Sequence, residues 1–236
     1  MNIIIFGGFL GAGKTSLILS LASFLIRENL READQSDQQE ADQNNRQESQ
    51  QNVRLGAQTP YLVIIENEIG ETGIDDKILR SGGYEVRELF AGCVCCTLAA
   101  DLTVMLNEIT DTLKPQWVII ECTGLAYPGN IAATLNRYGK RSDPIKIITV
   151  VDAERWEELA EVAPILIEKQ VHEADVVLIN KIDLAEEEGI RQAEDRITVI
   201  NTGAKKIKLS GSVMIPDNVW NEITQVNGPW EEVSDK

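Results

Sequence analysis

The chain has 236 residues, 43% of them hydrophobic, and a formal net charge of −16. This length and apolar content suit one α/β domain, alone or with a small appendage. The negative charge disfavours nucleic acid and anionic membranes as partners, and no apolar run reaches the roughly 18 residues of a membrane span. Three of the four cysteines fall within four positions, which is unlike a disulfide framework. We therefore expect a cytoplasmic protein without nucleic-acid or membrane partners.

The first predicted element is a short apolar strand, Asn2 to Phe6, that leads into a glycine-rich turn. The turn fits the pattern G-x-x-x-x-G-K-[ST] of a phosphate-binding loop. In such loops the backbone N–H groups surround the phosphates, the lysine reaches the β- and γ-phosphates, and the hydroxyl binds Mg²⁺. We assign catalytic roles to Lys14 and Thr15. The predicted nucleotide contacts are Gly8, Gly11, Ala12, Gly13, Lys14, Thr15 and Ser16.

The phosphate loop opens a predicted helix from about Lys14 to Glu28. A polar segment rich in Gln, Asp, Glu and Asn follows at about residues 31–58. Such a composition buries too little apolar surface to offset the entropy of ordering. We therefore expect a disordered insertion in this segment, with a charged regulatory arm as the alternative.

A second buried strand, Tyr61 to Ile65, ends in an acidic stretch that includes Glu66 and Glu71. Carboxylates at the C-terminal end of a parallel strand lie where ligands bind in open α/β sheets. A solvated acidic turn is the alternative interpretation. A short strand is predicted next, at Tyr84 to Leu89.

Three cysteines, Cys93, Cys95 and Cys96, place three thiols on one tight loop. Thiolates suit Zn²⁺ and related ions, and three of them leave a fourth position for a carboxylate, water or a client protein. Packing as small apolar side chains is the alternative. A redox pair is less favoured, because the only C-x-x-C spacing joins Cys93 to Cys96 with Cys95 between them.

The next predicted strand, Trp117 to Ile120, follows a helix at Leu98 to Leu113 and ends in Glu121. After a phosphate loop, an acid at a strand end with glycine three residues later indicates the second part of a phosphate site. The acid holds Mg²⁺ or its water, and the glycine N–H meets the γ-phosphate. We therefore assign Glu121 a catalytic, Mg²⁺-binding role and Gly124 a nucleotide contact.

Later in the chain, the buried strand Val176 to Ile179 runs into an N-K-x-D guanine box, Asn180-Lys-Ile-Asp183. There Asp183 accepts from the guanine N1–H and 2-amino groups, Asn180 braces the loop, and the Lys181 stem covers the base. Adenine offers neither donor, so the acid would lack a partner. The box therefore predicts a guanine nucleotide.

After the guanine box the sequence predicts an acidic helix, Ala185 to Arg196, and a short β-branched strand, Thr198 to Ile200. We expect backbone groups of the turn after that strand to contact the guanine O6. This prediction includes Ala204 in the nucleotide site. Residues 211–236 carry two tryptophans and no pattern that places them.

In this order the motifs resemble the CobW-type metal-chaperone GTPases, relatives of HypB and UreG. The specific part is the C-x-C-C element inside a GTPase domain, and the resemblance covers about residues 1–210. It implies a P-loop NTPase fold with a doubly wound, mainly parallel sheet and helices on both faces. It also implies hydrolysis of GTP to GDP and phosphate with Mg²⁺, at a slow rate because no arginine finger is evident. The stretches that carry it are the phosphate loop, Glu66-Asn-Glu-Ile-Gly-Glu71, Gly92-Cys-Val-Cys-Cys96, Glu121-Cys-Thr-Gly-Leu125 and the guanine box.

In that family the cysteine loop binds Zn²⁺, Co²⁺ or Ni²⁺, and nucleotide state couples to metal delivery. The resemblance therefore implies a client metalloprotein or cofactor-assembly protein as partner, and it leaves a homodimer open. Its implied metal ligands are Cys93, Cys95 and Cys96, with Glu66 and Glu71 as nearby carboxylates.

Two features depart from the family. Its members usually continue into a C-terminal domain, whereas we expect residues 211–236 to form only a short tail. Cys122 stands where the family usually has Ser or Thr, either as packing or as a fourth thiol near the nucleotide.

Two other functions stay open. One is a regulatory GTP switch that binds a partner protein, with cysteines that pack or sense redox state; metal binding separates it from a chaperone. The other is an ATP-using delivery protein of the same sheet family. The guanine box and the absence of a second lysine early in the phosphate loop count against it.

Overall fold

The structure is a computed structural model that describes residues 1–43, 60–66, 84–88, 98–139, 144–210 and 214–224. Most of its strands form from short runs of branched apolar residues, which suit a sheet covered on both faces. The strands are β1 (Asn2–Gly8), β2 (Leu62–Glu66), β3 (Tyr84–Glu88), β4 (Trp117–Glu121), β5 (Ile145–Asp152), β6 (Val176–Asn180) and β7 (Lys205–Lys208).

These strands form one parallel sheet. Within the described ranges it has seven strands in the order β3-β2-β4-β1-β5-β6-β7, and every neighbouring pair is parallel. The helices are α1 (Lys14–Gln43), α2 (Leu98–Thr112), α3 (Pro128–Tyr138), α4 (Trp156–Val162), α5 (Pro164–His172), α6 (Glu187–Ile200) and α7 (Asp217–Thr224).

The helices cover both faces of the sheet, as alternation along β1 shows. Ile3 and Ile5 pack into a core with residues of α2 to α6. Ile4 and Phe6 pack into a second core with residues of α1 and α7. This arrangement confirms the predicted doubly wound α/β fold. Within the described part of the chain, no helix is long and apolar enough to cross a membrane.

Parallel pairing brings the C-terminal ends of the strands to one edge. Glu121 at the end of β4 is in register with Phe6 of β1 on one side and with Glu66 of β2 on the other. Asp152 at the end of β5 is likewise in register with Asn180 of β6. Polar residues that are distant in the sequence thus meet where open α/β sheets bind ligands.

The first helix is longer than the sequence predicted. It continues past Glu28 to Gln43, so the start of the polar segment is helical and the prediction of disorder from about residue 31 is corrected. The stretch between Lys14 and Gln43 contains no Gly or Pro and is rich in Ala, Leu, Glu, Gln and Arg, which are good helix formers. Residues 44–58, the rest of the predicted insertion, lie outside the described residues.

The predicted strand at Thr198 to Ile200 is wrong, because these residues form the last turn of α6. Ala193 and Ile197, four residues apart, are fully buried on one face of that helix. This packing outweighs the strand preference of the β-branched residues. The strand that follows is β7, Lys205–Lys208, at one edge of the sheet. Three of its four residues are lysines, which are common in edge strands, so it lacks the apolar pattern that identifies a strand in the sequence.

The C-terminal helix α7 belongs to the same folded unit. Its Trp220 is fully buried, and the indole Nε1 donates to Ser20 Oγ of α1 at 3.2 Å. Residues 225–236 of the predicted tail lie outside the described residues.

Trp220→Ala should lower the free energy of unfolding by about 3–5 kcal/mol, since it removes a large buried side chain and leaves a cavity. The control is Met214→Ala at a position that is 90% exposed, for which we expect a change within about 0.5 kcal/mol. Denaturant unfolding followed by circular dichroism measures both. Equal stabilities for the two variants would show that α7 does not contribute to the core.

Candidate functional site

The phosphate loop connects β1 to α1 and folds around its own lysine. The side chain of Lys14 is buried, and its Nζ donates to Gly8 O at 3.1 Å and Phe9 O at 3.3 Å. The cation therefore lies inside the glycine-rich turn, ahead of the positive N-terminal end of α1. Both features attract phosphate.

The N-K-x-D sequence meets the phosphate loop through Asn180. Its buried Nδ2 donates to Ala12 O at 2.8 Å. Gly13 has φ +96°, and a Cβ there would lie 2.5 Å from the same nitrogen. Only glycine fits that backbone and that approach. Asn180 thus joins the guanine box to the phosphate loop, and its role in nucleotide binding stays a prediction.

The phosphate loop also contacts the end of β4. Thr15 Oγ1 donates to Glu121 Oε1 at 2.7 Å, and Glu121 is 3% exposed. A hydroxyl and a buried carboxylate side by side are hard oxygen donors, the ligand type that Mg²⁺ prefers. These two residues fit the magnesium ion that the phosphate-loop sequence implies.

The loop after β4 passes close to the phosphate loop. A Cβ on Gly124 would lie 2.6 Å from Leu10 N and 3.0 Å from Leu10 Cα. A side chain there would collide with backbone, so the close approach requires glycine. The structure therefore places Gly124 beside the phosphate loop.

Cys122 lies next to these residues but is fully buried in the core. Burial raises the pKa of its thiol to about 12; Lys14 lowers this pKa and Glu121 raises it, both to a smaller extent. The thiol is therefore neutral at physiological pH, while metal binding needs the thiolate. Of the two roles considered for Cys122, packing fits this environment.

Within the guanine box, Lys181 forms an ion pair with Asp152, a residue to which the sequence analysis assigned no role. Lys181 Nζ lies 2.7 Å from Asp152 Oδ2, whose side chain is 1% exposed. Asp152 Oδ1 accepts from Glu154 N at 3.1 Å, so one carboxylate fixes both the lysine and the turn after β5. An acid directly after an apolar strand, as at Glu121, was the sequence feature that could have indicated it.

The structure does not bring Ala204 to the nucleotide site. Ala204 directly precedes β7, so it lies at the N-terminal ends of the parallel strands, whereas the phosphate loop lies at their C-terminal ends. The Ala204 N–H donates to Asn201 Oδ1 at 2.9 Å. The loop that follows β7 supplies Ser210 instead, whose Oγ donates to Asp183 Oδ1 at 2.5 Å. The sequence analysis chose Ala204 because it placed a strand at residues 198–200. The strand is in fact β7, so the loop that follows the strand begins after Lys208.

The predicted transition-metal site falls mainly outside the described residues. Cys93, Cys95, Cys96 and Glu71 all lie there. Glu66 is described, and it ends β2 in register with Glu121. Among the residues described, no group of three or more His, Cys, Asp or Glu could hold a metal ion. The cysteine site stays a prediction.

Comparison with known proteins gives the family. The nucleotide-binding domain of the CobW/HypB/UreG family matches residues 52–208. The chain belongs to this family. The phosphate loop precedes the matched range, while the Glu121 box and the guanine box lie within it. The expected resemblance to CobW-type proteins is confirmed.

Two curated relatives in this family are named as zinc chaperones. Zinc chaperone CobW of Sinorhizobium sp is 30% identical over 221 residues, with 81% of this chain and 53% of the relative covered. Zinc chaperone YjiA of Escherichia coli (strain K12) is 29% identical over 206 residues, with 84% and 54% covered. The chain spans about half the length of the curated relatives it matches.

A solved structure supports the fold. The hydrogenase maturation factor HypB from Archaeoglobus fulgidus superposes with a TM-score of 0.61 at 14% sequence identity. The match covers 95% of this chain and 89% of that protein. At 14% identity this likeness shows the fold alone, which is the α/β fold of P-loop NTPases.

The Ser210–Asp183 contact predicts a guanine-specific effect. Ser210→Ala should weaken GDP binding about two- to tenfold, the range for one lost hydrogen bond, while ADP binding stays the same. Calorimetry with GDP and ADP measures this, with Ser23→Ala on the exposed side of α1 as the matched control. The loop assignment is contradicted if Ser210→Ala binds GDP as tightly as the parent chain.

Proposed function

We propose that this chain hydrolyses GTP to GDP and phosphate with Mg²⁺, and couples that reaction to binding and delivery of a transition metal. The metal is zinc, cobalt or nickel, and the recipient is a client metalloprotein or cofactor-assembly protein. The observation that carries the nucleotide half is the 2.7 Å contact of Thr15 Oγ1 with Glu121 Oε1, beside a buried lysine and a braced guanine box.

Each nucleotide residue has a defined task in this proposal. Lys14 neutralises charge on the β- and γ-phosphates. Thr15 with Glu121 would hold a magnesium ion, which would draw charge from the phosphate oxygens. The Gly124 N–H binds the γ-phosphate. Asp183, oriented by Ser210, accepts from guanine, while Lys181, held by Asp152, lies along the base. Catalysis is then mainly positioning and charge stabilisation, which fits slow turnover.

The metal half rests on the cysteine loop and on the names of the relatives. Cys93, Cys95 and Cys96 supply soft ligands, and zinc is the metal named for both curated relatives. We assign Glu66 and Glu71 as the accompanying carboxylates.

Coupling between the two halves has a route along the sheet. Glu66 ends β2 in register with Glu121, and Glu121 accepts from Thr15 of the phosphate loop. Loss of the γ-phosphate would change the surroundings of Glu121, one strand away from a candidate metal ligand. Switch segments that border a γ-phosphate work in this manner.

The test combines metal spectroscopy with turnover. Reduced protein with stoichiometric Co²⁺ should show thiolate charge-transfer and tetrahedral visible bands, and GTP turnover should change when Zn²⁺ or Co²⁺ is added. Metal affinity should differ between GDP and a non-hydrolysable GTP analogue by about 1–3 kcal/mol, with a reciprocal change in nucleotide affinity.

Matched cysteine variants separate the interpretations. Replacing Cys93, Cys95 and Cys96 by Ser should remove the bands and leave GDP binding intact, while Cys122→Ala should keep the bands. Bands without any nucleotide dependence would contradict coupling. Absence of bands in the parent protein would favour the regulatory GTP switch instead.

A further inference from the structure

A buried glutamine on α5 holds the loop that carries Gly124. Gln170 is 2% exposed. Its Nε2 donates to Ala126 O at 2.8 Å and to Gly124 O at 3.3 Å. Both acceptors lie between β4 and α3, so one carboxamide spans the loop. Because both N–H groups of a carboxamide are donors, glutamine can serve two carbonyls at once.

The backbone of Gln170 is fixed to the sheet. Its carbonyl accepts from Thr149 Oγ1 at 2.7 Å, and Thr149 is 1% exposed on β5. Thr149 is in register with Gly7 of β1, directly before the phosphate loop. The carboxamide therefore projects from a point anchored beside the strand that carries that loop.

Lys169 of α5, and Glu173 directly after this helix, hold the same segment further along. Glu173 Oε2 accepts from Gly129 N at 3.1 Å, at the start of α3. Lys169 Nζ lies 4.9 Å from the centre of the Tyr127 ring, a cation–π distance. These contacts attach residues 124–129 to the end of α5, with Gln170 the one closest to Gly124.

We propose that Gln170 is a positioning residue for the γ-phosphate, and this rests on the proposed contact between Gly124 N–H and that phosphate. Leu10 packs against one side of Gly124, and Gln170 holds its carbonyl. Together they restrain the backbone of Gly124, which carries this N–H, before GTP arrives, and this reduces the ordering cost of binding. GDP has no γ-phosphate, so Gln170 should strengthen binding of GTP and not of GDP.

The test is Gln170→Met, which keeps an unbranched side chain of similar length and removes the donors. We expect binding of the analogue GMPPNP to weaken about tenfold and GDP binding to change less than about twofold. The loss in GTP turnover should appear in KM more than in kcat, because the contact with the γ-phosphate is already made in the ground state that GMPPNP mimics. Gln192→Met, at an exposed α6 glutamine that donates to Glu188, is the matched control and should behave as the parent chain.

A second variant guards against a simple loss of folding. Gln170→Glu keeps the shape but turns the donor into an acceptor, so GMPPNP binding should weaken and recover in part as the pH falls and the carboxyl gains a proton. A GMPPNP-to-GDP affinity ratio unchanged in both variants overturns the proposal, as does an equal loss for both nucleotides. If the parent chain binds GMPPNP and GDP no better than ADP, the proposed function itself has failed.

Discussion

The hydrogen bond from Thr15 to Glu121 is the interaction on which the proposed site depends. It joins the first turn of α1 to the end of β4, residues that are 106 positions apart in the chain. The contact exists because β1 and β4 are parallel neighbours with Phe6 opposite Glu121. A change in that register would turn the carboxylate to the other face of the sheet. The sheet therefore sets the distance between the two oxygen donors, and local sequence sets only their identity.

The phosphate loop and the guanine box could be predicted because each motif encodes a local backbone shape. A glycine needed at φ +96° is visible in the sequence at Gly13, and the apolar runs before each motif identify the strands. The edge strand β7 could not be predicted in the same way. Its exposed lysines lack an apolar pattern, while the β-branched residues before it belong to α6. That single exchange led the sequence analysis to Ala204, while the loop that follows β7 places Ser210 against Asp183.

The residues missed altogether are buried polar groups whose partners are distant in the sequence. Asp152 meets Lys181, and Gln170 meets the carbonyls of Gly124 and Ala126, 46 and 44 positions away. No spacing rule links such pairs, because the sheet order and the packing of α5 create them. Buried polar groups need partners, and two of these partners, Lys181 and Gly124, are residues of the proposed nucleotide site. The family match covers the Glu121 box and the guanine box. The positions of Asp152 and Gln170 beside the site become visible only in the tertiary structure.

In the proposed site, Thr15 and Glu121 act together on one magnesium ion at the phosphate. The most direct test is a double-mutant cycle with Thr15→Val and Glu121→Gln, in which GMPPNP affinity is measured with Mg²⁺ and with a chelator. We expect Mg²⁺ to strengthen binding to the parent chain, each single variant to lose most of this gain, and the double variant to lose little more. Retention of the full Mg²⁺ dependence in both single variants would contradict it.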